Sequence, residues 1–299
     1  MKHLLFFILI LLLTGCRSSS DQEIRAVVLR GPSVMAFAQW LEQPPVIGGK
    51  RVAVTVAESP DIARAALIKG EAEIAVLPTI SAANLYNKGV RLEMAGCPIW
   101  GTLYLIGRTG SNDSTVHIFG RGTTPDILTR HYLSNEGQQP PLNYVFQTAG
   151  EITQGLMAKK INRAVVSEPF LTIALRKDTT LQIIADLNRA GTSGMGFAQT
   201  AIVITPGLSA SRDTLDSLLA ESCRFANERP EEAIRILEDK KLFAPGMLTP
   251  EAIRRCRLDY KNSQEAQAEI DTFLRLIFQY EPKAIGGQLP DARFIASRP

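Results

Sequence analysis

The chain is short of the residues from which metal and nucleophile chemistry is built. It has three histidines and four cysteines in 299 residues. His117 and His131 have no Cys or His neighbour at ligand spacing, and His3 is expected to be lost with an N-terminal signal, so no metal is expected. Runs of one charge are also missing: 33 basic residues stand against 30 acidic ones, a formal net charge of +3. No Lys/Arg cluster interleaved with aromatics occurs, which sets nucleic acid aside as a partner. Gly191-Thr192-Ser193-Gly194 lacks the spacing of a nucleophile elbow and reads as a flexible loop. Gly120-Arg121-Gly122 begins like a dinucleotide fingerprint, but Pro125 stands in the place of the third glycine. No cofactor is expected. One long hydrophobic run exists, at residues 4–13, and it is too short for a comfortable membrane span.

That run has instead the length of a signal-peptide core, preceded by Lys2 and followed by Leu13-Thr14-Gly15-Cys16. Small residues before a cysteine at this point resemble the bacterial lipobox. The resemblance implies a signal peptide at 1–15, cleavage before Cys16, lipidation of its thiol, a tether at 16–23 and an extracytoplasmic, membrane-anchored protein. Outside the cytoplasm a disulfide is permitted, and Cys223 with Cys256 is the favoured pair, both in helical C-terminal sequence. Cys97, in an apolar stretch, reads as a buried small hydrophobe.

The rest of the composition is ordinary: 45% hydrophobic and 21% charged, with enough chain for two lobes and a large core. Its pattern repeats one unit, strand then glycine or proline turn then helix. Residues 24–29 run into Arg30-Gly31-Pro32-Ser33 and a helical spacing at Val34, Ala38 and Leu41. Residues 51–56 lead to Ser59-Pro60-Asp61 and a helix ending at Gly70, and 73–77 lead to Pro78-Thr79 and a helix ending at Gly89. The clearest corner is 116–119 entering Gly120-Arg121-Gly122-Thr123-Thr124-Pro125, followed by Ile127, Leu128 and Tyr132 at helical spacing. A last one is 164–167 entering Glu168-Pro169. Such units predict a mostly parallel sheet covered by helices, with ligands beyond the strands' carboxyl ends. Residues 103–108 are expected to cross into a second lobe and 201–205 to return. Lobe I is then 24–106 with 206–299, and lobe II 107–205. After the return the pattern is helical at 213–227, 230–238, 250–259 and 266–280.

Several short motifs stand in a recognisable order: Gly31-Pro32-Ser33, Leu77-Pro78-Thr79, Trp100-Gly101-Thr102-Leu103-Tyr104, Gly122-Thr123-Thr124-Pro125, Ser167-Glu168-Pro169 and Gly286-Gly287-Gln288-Leu289-Pro290. Together they resemble the substrate-binding lipoproteins of ABC importers, in the nitrate/sulfonate/taurine and thiamine-pyrimidine-precursor branch. The resemblance covers nearly all of the mature chain. It implies a two-lobed α/β periplasmic-binding-protein fold, a monomer that clamps a small molecule between lobes and delivers it to an ABC permease and ATPase.

The residues expected at that cleft are Gly31, Pro32, Ser33, Pro78, Thr79 and Trp100 from the first lobe, and Gly122, Thr123, Thr124 and Glu168 from the second. Trp100 can stack on a ring, and Glu168 can accept from an amino or ring N–H group, which favours a nitrogen heterocycle or zwitterion over a bare oxyanion. Each has a plainer reading beside it. Ser33 and Thr79 suit helix caps, Trp100 suits core packing, and Glu168 can cap the following turn or pair with Arg163 or Arg176. Some relatives with this fold are enzymes of pyrimidine-precursor or menaquinone synthesis. The former carry a cysteine-rich motif absent here, and the export signal disagrees with both. A sensing or partner-binding lipoprotein is the third reading.

Overall fold

The computed structural model describes residues 23–189 and 196–295. The signal peptide, Cys16, most of the tether and the Gly191-Thr192-Ser193-Gly194 loop lie outside the described residues. The first sheet opens with β1 (Glu23–Leu29), the short helices α1 (Pro32–Met35) and α2 (Ala38–Glu42), and the hairpin β2 (Val46–Ile47) and β3 (Lys50–Ala57). It continues through α3 (Pro60–Ile68), β4 (Ile74–Pro78), α4 (Thr79–Asn87) and β5 (Glu93–Ile99). A second sheet follows, with β6 (Leu103–Arg108), β7 (Val116–His117), α5 (Thr124–Asn135), β8 (Leu142–Asn143), α6 (Ala149–Met157), β9 (Arg163–Ser167), α7 (Phe170–Lys177) and β10 (Leu181–Asp186). The chain returns as β11 (Thr200–Ile204), α8 (Arg212–Glu228), α9 (Pro230–Asp239), α10 (Pro250–Cys256), β12 (Leu258–Asn262) and α11 (Gln267–Tyr280).

Strand order is β12-β5-β11-β4-β1-β3-β2 in the first sheet and β10-β6-β9-β7-β8 in the second. The two-lobed α/β expectation is met, but the sheets are mixed, not mostly parallel. β1 runs parallel to β3 and β4, and β7 to β8 and β9. Apart from the β2–β3 hairpin, the antiparallel pairs gather on β5, β6, β10 and β11, the strands flanking the two crossings. A chain arriving from the other lobe enters a sheet at the opposite end, so it runs against its neighbours.

The crossings differ from expectation for a related reason. The run at 103–108 is β6, inside the second sheet, and 201–205 is largely β11, in the middle of the first. Apolar β-branched runs are buried strands. The chain changes sheet earlier, at Trp100-Gly101-Thr102 and between Asp186 and Thr200, where polar and glycine residues carry no hydrophobic pattern. The helix expected over 250–259 stops at Cys256 because Arg257 takes a left-handed φ of 50°, and β12 follows with alternate burial.

The core has three parts. One covers each face of the first sheet, and the part containing Leu77 and Phe273 continues through Leu103 to Val165 of the second. A third lies on the other face of the second sheet, around Ile106, Ile152 and Leu171. The expected Cys223–Cys256 bridge is not formed. Cys97, Cys223 and Cys256 are buried free thiols packed as small apolar groups, with Cys256 Sγ 3.9 Å from Met35 Sδ.

Candidate functional site

The carboxyl ends of strands from both sheets face one space. From the first sheet come Arg30, Gly31 and Pro32 after β1 and Glu58 and Pro60 after β3, joined by the segment 238–247, which runs from the last turn of α9 toward α10. From the second come Phe119 after β7, residues 147–150 after β8, and residues 167–170 after β9. They enclose a cleft of about 1240 Å³. This is where an open α/β sheet binds ligands, because the helix N-termini and turn backbones lie there. Gly31 makes its corner with φ 105° and ψ −147°, a conformation other residues rarely adopt.

The polar groups on this lining are largely engaged within the chain. Arg30 donates from Nε to Glu58 at 2.8 Å and from Nη1 to the Leu242 carbonyl at 2.6 Å. At the start of α6, Thr148 and Glu151 form a reciprocal cap: Thr148 Oγ1 accepts from Glu151 N at 3.2 Å, and Glu151 accepts from Gln147 N at 2.7 Å and Thr148 N at 3.3 Å. At the start of α7, Glu168 accepts from Thr172 N at 3.2 Å and from the Thr172 hydroxyl at 2.9 Å. It also accepts from Arg255 Nη1 of the first lobe at 3.4 Å, and Arg255 donates to Thr172 Oγ1 at 2.9 Å. Glu168 is 0% exposed. Burial raises its carboxyl above the ordinary value, against the opposing pull of Thr172 and Arg255. The capping expectation for Glu168 holds; its ionic partner is Arg255, not Arg163 or Arg176.

Of the residues expected at the cleft, the structure brings Gly31, Pro32 and Glu168 together on its lining. Ser33 is buried in α1. Thr79 is fully buried, with its hydroxyl donating to the Ala198 carbonyl and its N–H to the Gln199 carbonyl, so Pro78-Thr79 joins β4 to the return segment. Trp100 is 2% exposed and its Nε1 donates to the Asp259 carbonyl at 2.6 Å. It borders a separate depression with Arg254 and Asp259, so it packs and does not serve as a platform in the cleft. Gly122, Thr123 and Thr124 also stand off the lining. Gly122 N donates to Asp126 Oδ2 at 2.8 Å and the Thr123 hydroxyl donates to the Gly120 carbonyl, so this corner is closed by its own side chains.

Phe119, Phe170, Gln147 and the 238–247 segment were not anticipated. The signal for the segment was present: Leu242-Phe243-Ala244-Pro245-Gly246-Met247 is an apolar, helix-breaking stretch between two helices, an arrangement that buries backbone only against something else.

Both crossings meet at Asn188, which is fully buried. Its Oδ1 accepts from Thr102 N, Leu103 N and Gln199 Nε2, each at 2.8 Å. Its Nδ2 donates to the Leu103 carbonyl at 2.8 Å and to Asp186 Oδ1 at 2.6 Å. Gly196, at φ 118°, lies so close to the Trp100 carbonyl that no side chain fits there. One amide thus ties the outgoing and returning strands at the place where the lobes would turn on each other.

Among the described residues, no group of three side chains is placed to hold a metal. No protein-family model matches the chain, and no curated protein does either. Solved structures do match. An ABC transporter protein from Parabacteroides distasonis is 55% identical over 93% of this chain and 100% of its own, with a TM-score of 0.91. The periplasmic aliphatic sulphonate-binding protein of Escherichia coli is 14% identical over 93% of this chain and 92% of its own, TM-score 0.69. The alkanesulfonate-binding protein of Xanthomonas axonopodis pv. citri, solved bound to MOPS, is 13% identical over 93% and 95%, TM-score 0.61. The last two share the fold. On the strength of the first, the chain belongs to the ABC-transporter family of the Parabacteroides protein, and it has the two-lobed fold of periplasmic binding proteins.

Proposed function

We propose that this chain is a substrate-binding protein and an extracytoplasmic lipoprotein, held to the membrane through Cys16, that captures a small polar or heterocyclic molecule in the cleft between Gly31-Pro32 and Glu168 and passes it to a permease and ATPase. The observation that carries the reading is the cleft itself, walled by strand ends of both sheets and linked to a shared hinge at Asn188. At about 1240 Å³ it exceeds the roughly 300–1,000 Å³ of a typical ligand pocket, which leaves room for the lobes to close on their cargo. A ligand that touches both walls stabilises the closed form because only there are both contact sets made. A 55% identical ABC transporter protein, together with sulfonate-binding proteins that share the fold, supports capture over conversion, and over the enzyme and sensing alternatives.

A thermal-shift screen of the mature protein tests this. A ligand at about 100 times its dissociation constant adds roughly 2.7 kcal/mol to the native state. The gain should vanish when Phe170 or Pro32 is replaced by a bulky charged residue, and persist when Trp100 is replaced by Phe. Labelling cells with a radioactive fatty acid tests the anchor: incorporation should be lost in Cys16→Ala, and incorporation that survives the substitution refutes it.

A further inference from the structure

We infer that the interlobe cleft accepts a flat ring compound that is neutral or cationic, and turns away sulfonates and other oxyanions. This rests on the cleft being the ligand site. An oxyanion is held by unengaged N–H groups at helix N-termini or by free guanidinium groups. In the second lobe each helix that follows a strand already carries its own carboxylate at its start. Asp126 accepts from Gly122 N ahead of α5, Glu151 closes the first turn of α6, and Glu168 that of α7. In the first lobe α1 is a single turn, and the start of α3 is capped by Ser59.

The guanidinium groups are committed as well. Arg30 is held by Glu58 and the Leu242 carbonyl, and Arg255 by Glu168, Thr172 and Glu251. Lys241, the remaining cation on the lining, is exposed, so water screens it. An incoming sulfonate would share the lining with the carboxylates of Glu58, Glu168 and Glu238 while Arg30 and Arg255 are already engaged. It would lose its hydration without gaining a partner.

What the walls offer is ring faces and neutral edges. Phe119, Phe170 and Phe243 line the cleft together with Pro32, Pro60 and Pro169. Gly150 keeps the first turn of α6 bare, with the Phe170 ring 3.3 Å from where a Cβ would stand. Among the described residues, the Gln147 carboxamide and the Ser167 hydroxyl are the uncharged lining side-chain groups without a hydrogen bond in the chain, Thr148 being engaged with Glu151. Both are uncharged and can donate or accept, which suits the edge of an amide or a ring nitrogen.

Isothermal titration of the mature protein with matched pairs tests the inference: benzamide against benzenesulfonate, 2-naphthamide against 2-naphthalenesulfonate, and 4-aminopyrimidine against ethanesulfonate and nitrate. At least one neutral ring should bind, at least about tenfold tighter than its anionic counterpart, with ethanesulfonate and nitrate silent. Glu168→Gln should narrow that ratio by strengthening the anion; an equal loss for both members would mean a structural role only. A sulfonate that binds as tightly as its neutral partner overturns the inference, as does silence from every ring. Small-angle X-ray scattering separates that failure from failure of the capture reading. Compaction on adding a sulfonate, or a small-molecule extract of the cells, would keep capture while the ring preference falls; no compaction with any of them would remove capture too.

Discussion

Replacing Asn188 by alanine should loosen both crossings at once. The native amide oxygen satisfies the N–H groups of Thr102 and Leu103, and the site is fully buried. Alanine leaves those two donors without a partner, at about 1–3 kcal/mol each, while Gln199 can rotate to recover part of its own bond. The expected loss is about 2–6 kcal/mol. For a chain of this size each kcal/mol lowers the unfolding midpoint by about 2 °C, so calorimetry should show a fall of roughly 4–12 °C. Asn188→Asp separates the two halves of the amide. It keeps an acceptor for the Thr102 and Leu103 N–H groups but loses the donation to the Leu103 carbonyl and sets a carboxylate against Asp186. Its midpoint should therefore recover on acidification, whereas that of the alanine variant should not. A fall of under about 2 °C in Asn188→Ala would mean that the two N–H groups find water, and would refute the hinge as described.

Glu168 gives a pH test. Burial raises its carboxyl, so the folded chain binds that proton more tightly than the unfolded one. The stability it contributes is complete below the ordinary carboxyl value and is lost as pH rises through the raised folded value. Wild-type stability should fall relative to Glu168→Gln as pH rises from the ordinary carboxyl value through the raised folded one, and parallel profiles would contradict this. The buried thiols should resist a thiol reagent until the protein unfolds, since burial pushes Cys97 up to about 12 and raises Cys223 and Cys256 too. Reductant should leave the midpoint unchanged, whereas a bridge would contribute about 2–4 kcal/mol and its reduction would show. Gly96→Ala should cost about 1–3 kcal/mol by chemical denaturation, because a Cβ there meets the Lys261 carbonyl and lies 2.8 Å from the Tyr260 ring. A neutral result would mean β5 and β12 can part without penalty.

Much of the fold was legible because its parallel strands are apolar, β-branched and followed by glycine or proline corners. β1, β3, β4 and β9 all carry that pattern. β10 was not, since Leu181 and Ala185 are buried while Ile183 and Ile184 of the same edge strand are exposed, which blurs any period. β12 was masked by a helical spacing that one left-handed residue, Arg257, interrupts. In the site, backbone corners were readable and side-chain directions were not. Gly31 and Glu168 reach the cleft because the ends of β1 and β9 aim them there. Trp100 does not, because β12 offers its indole the Asp259 carbonyl. Phe119, Phe170 and residues 238–247 reach the cleft through tertiary packing, which leaves no mark on local periodicity.

During synthesis β5 must wait for partners made after it. Its two neighbours are β11 and β12, and the whole second sheet is translated in between. The second sheet is one uninterrupted stretch whose strands are all made once Asp186 has emerged, while the buried residues 94–99 of β5 still have both edges bare. A nascent chain halted short of β11 therefore carries all five strands of the second sheet, one face of it still lacking α11, and an open, adhesive strand in the first.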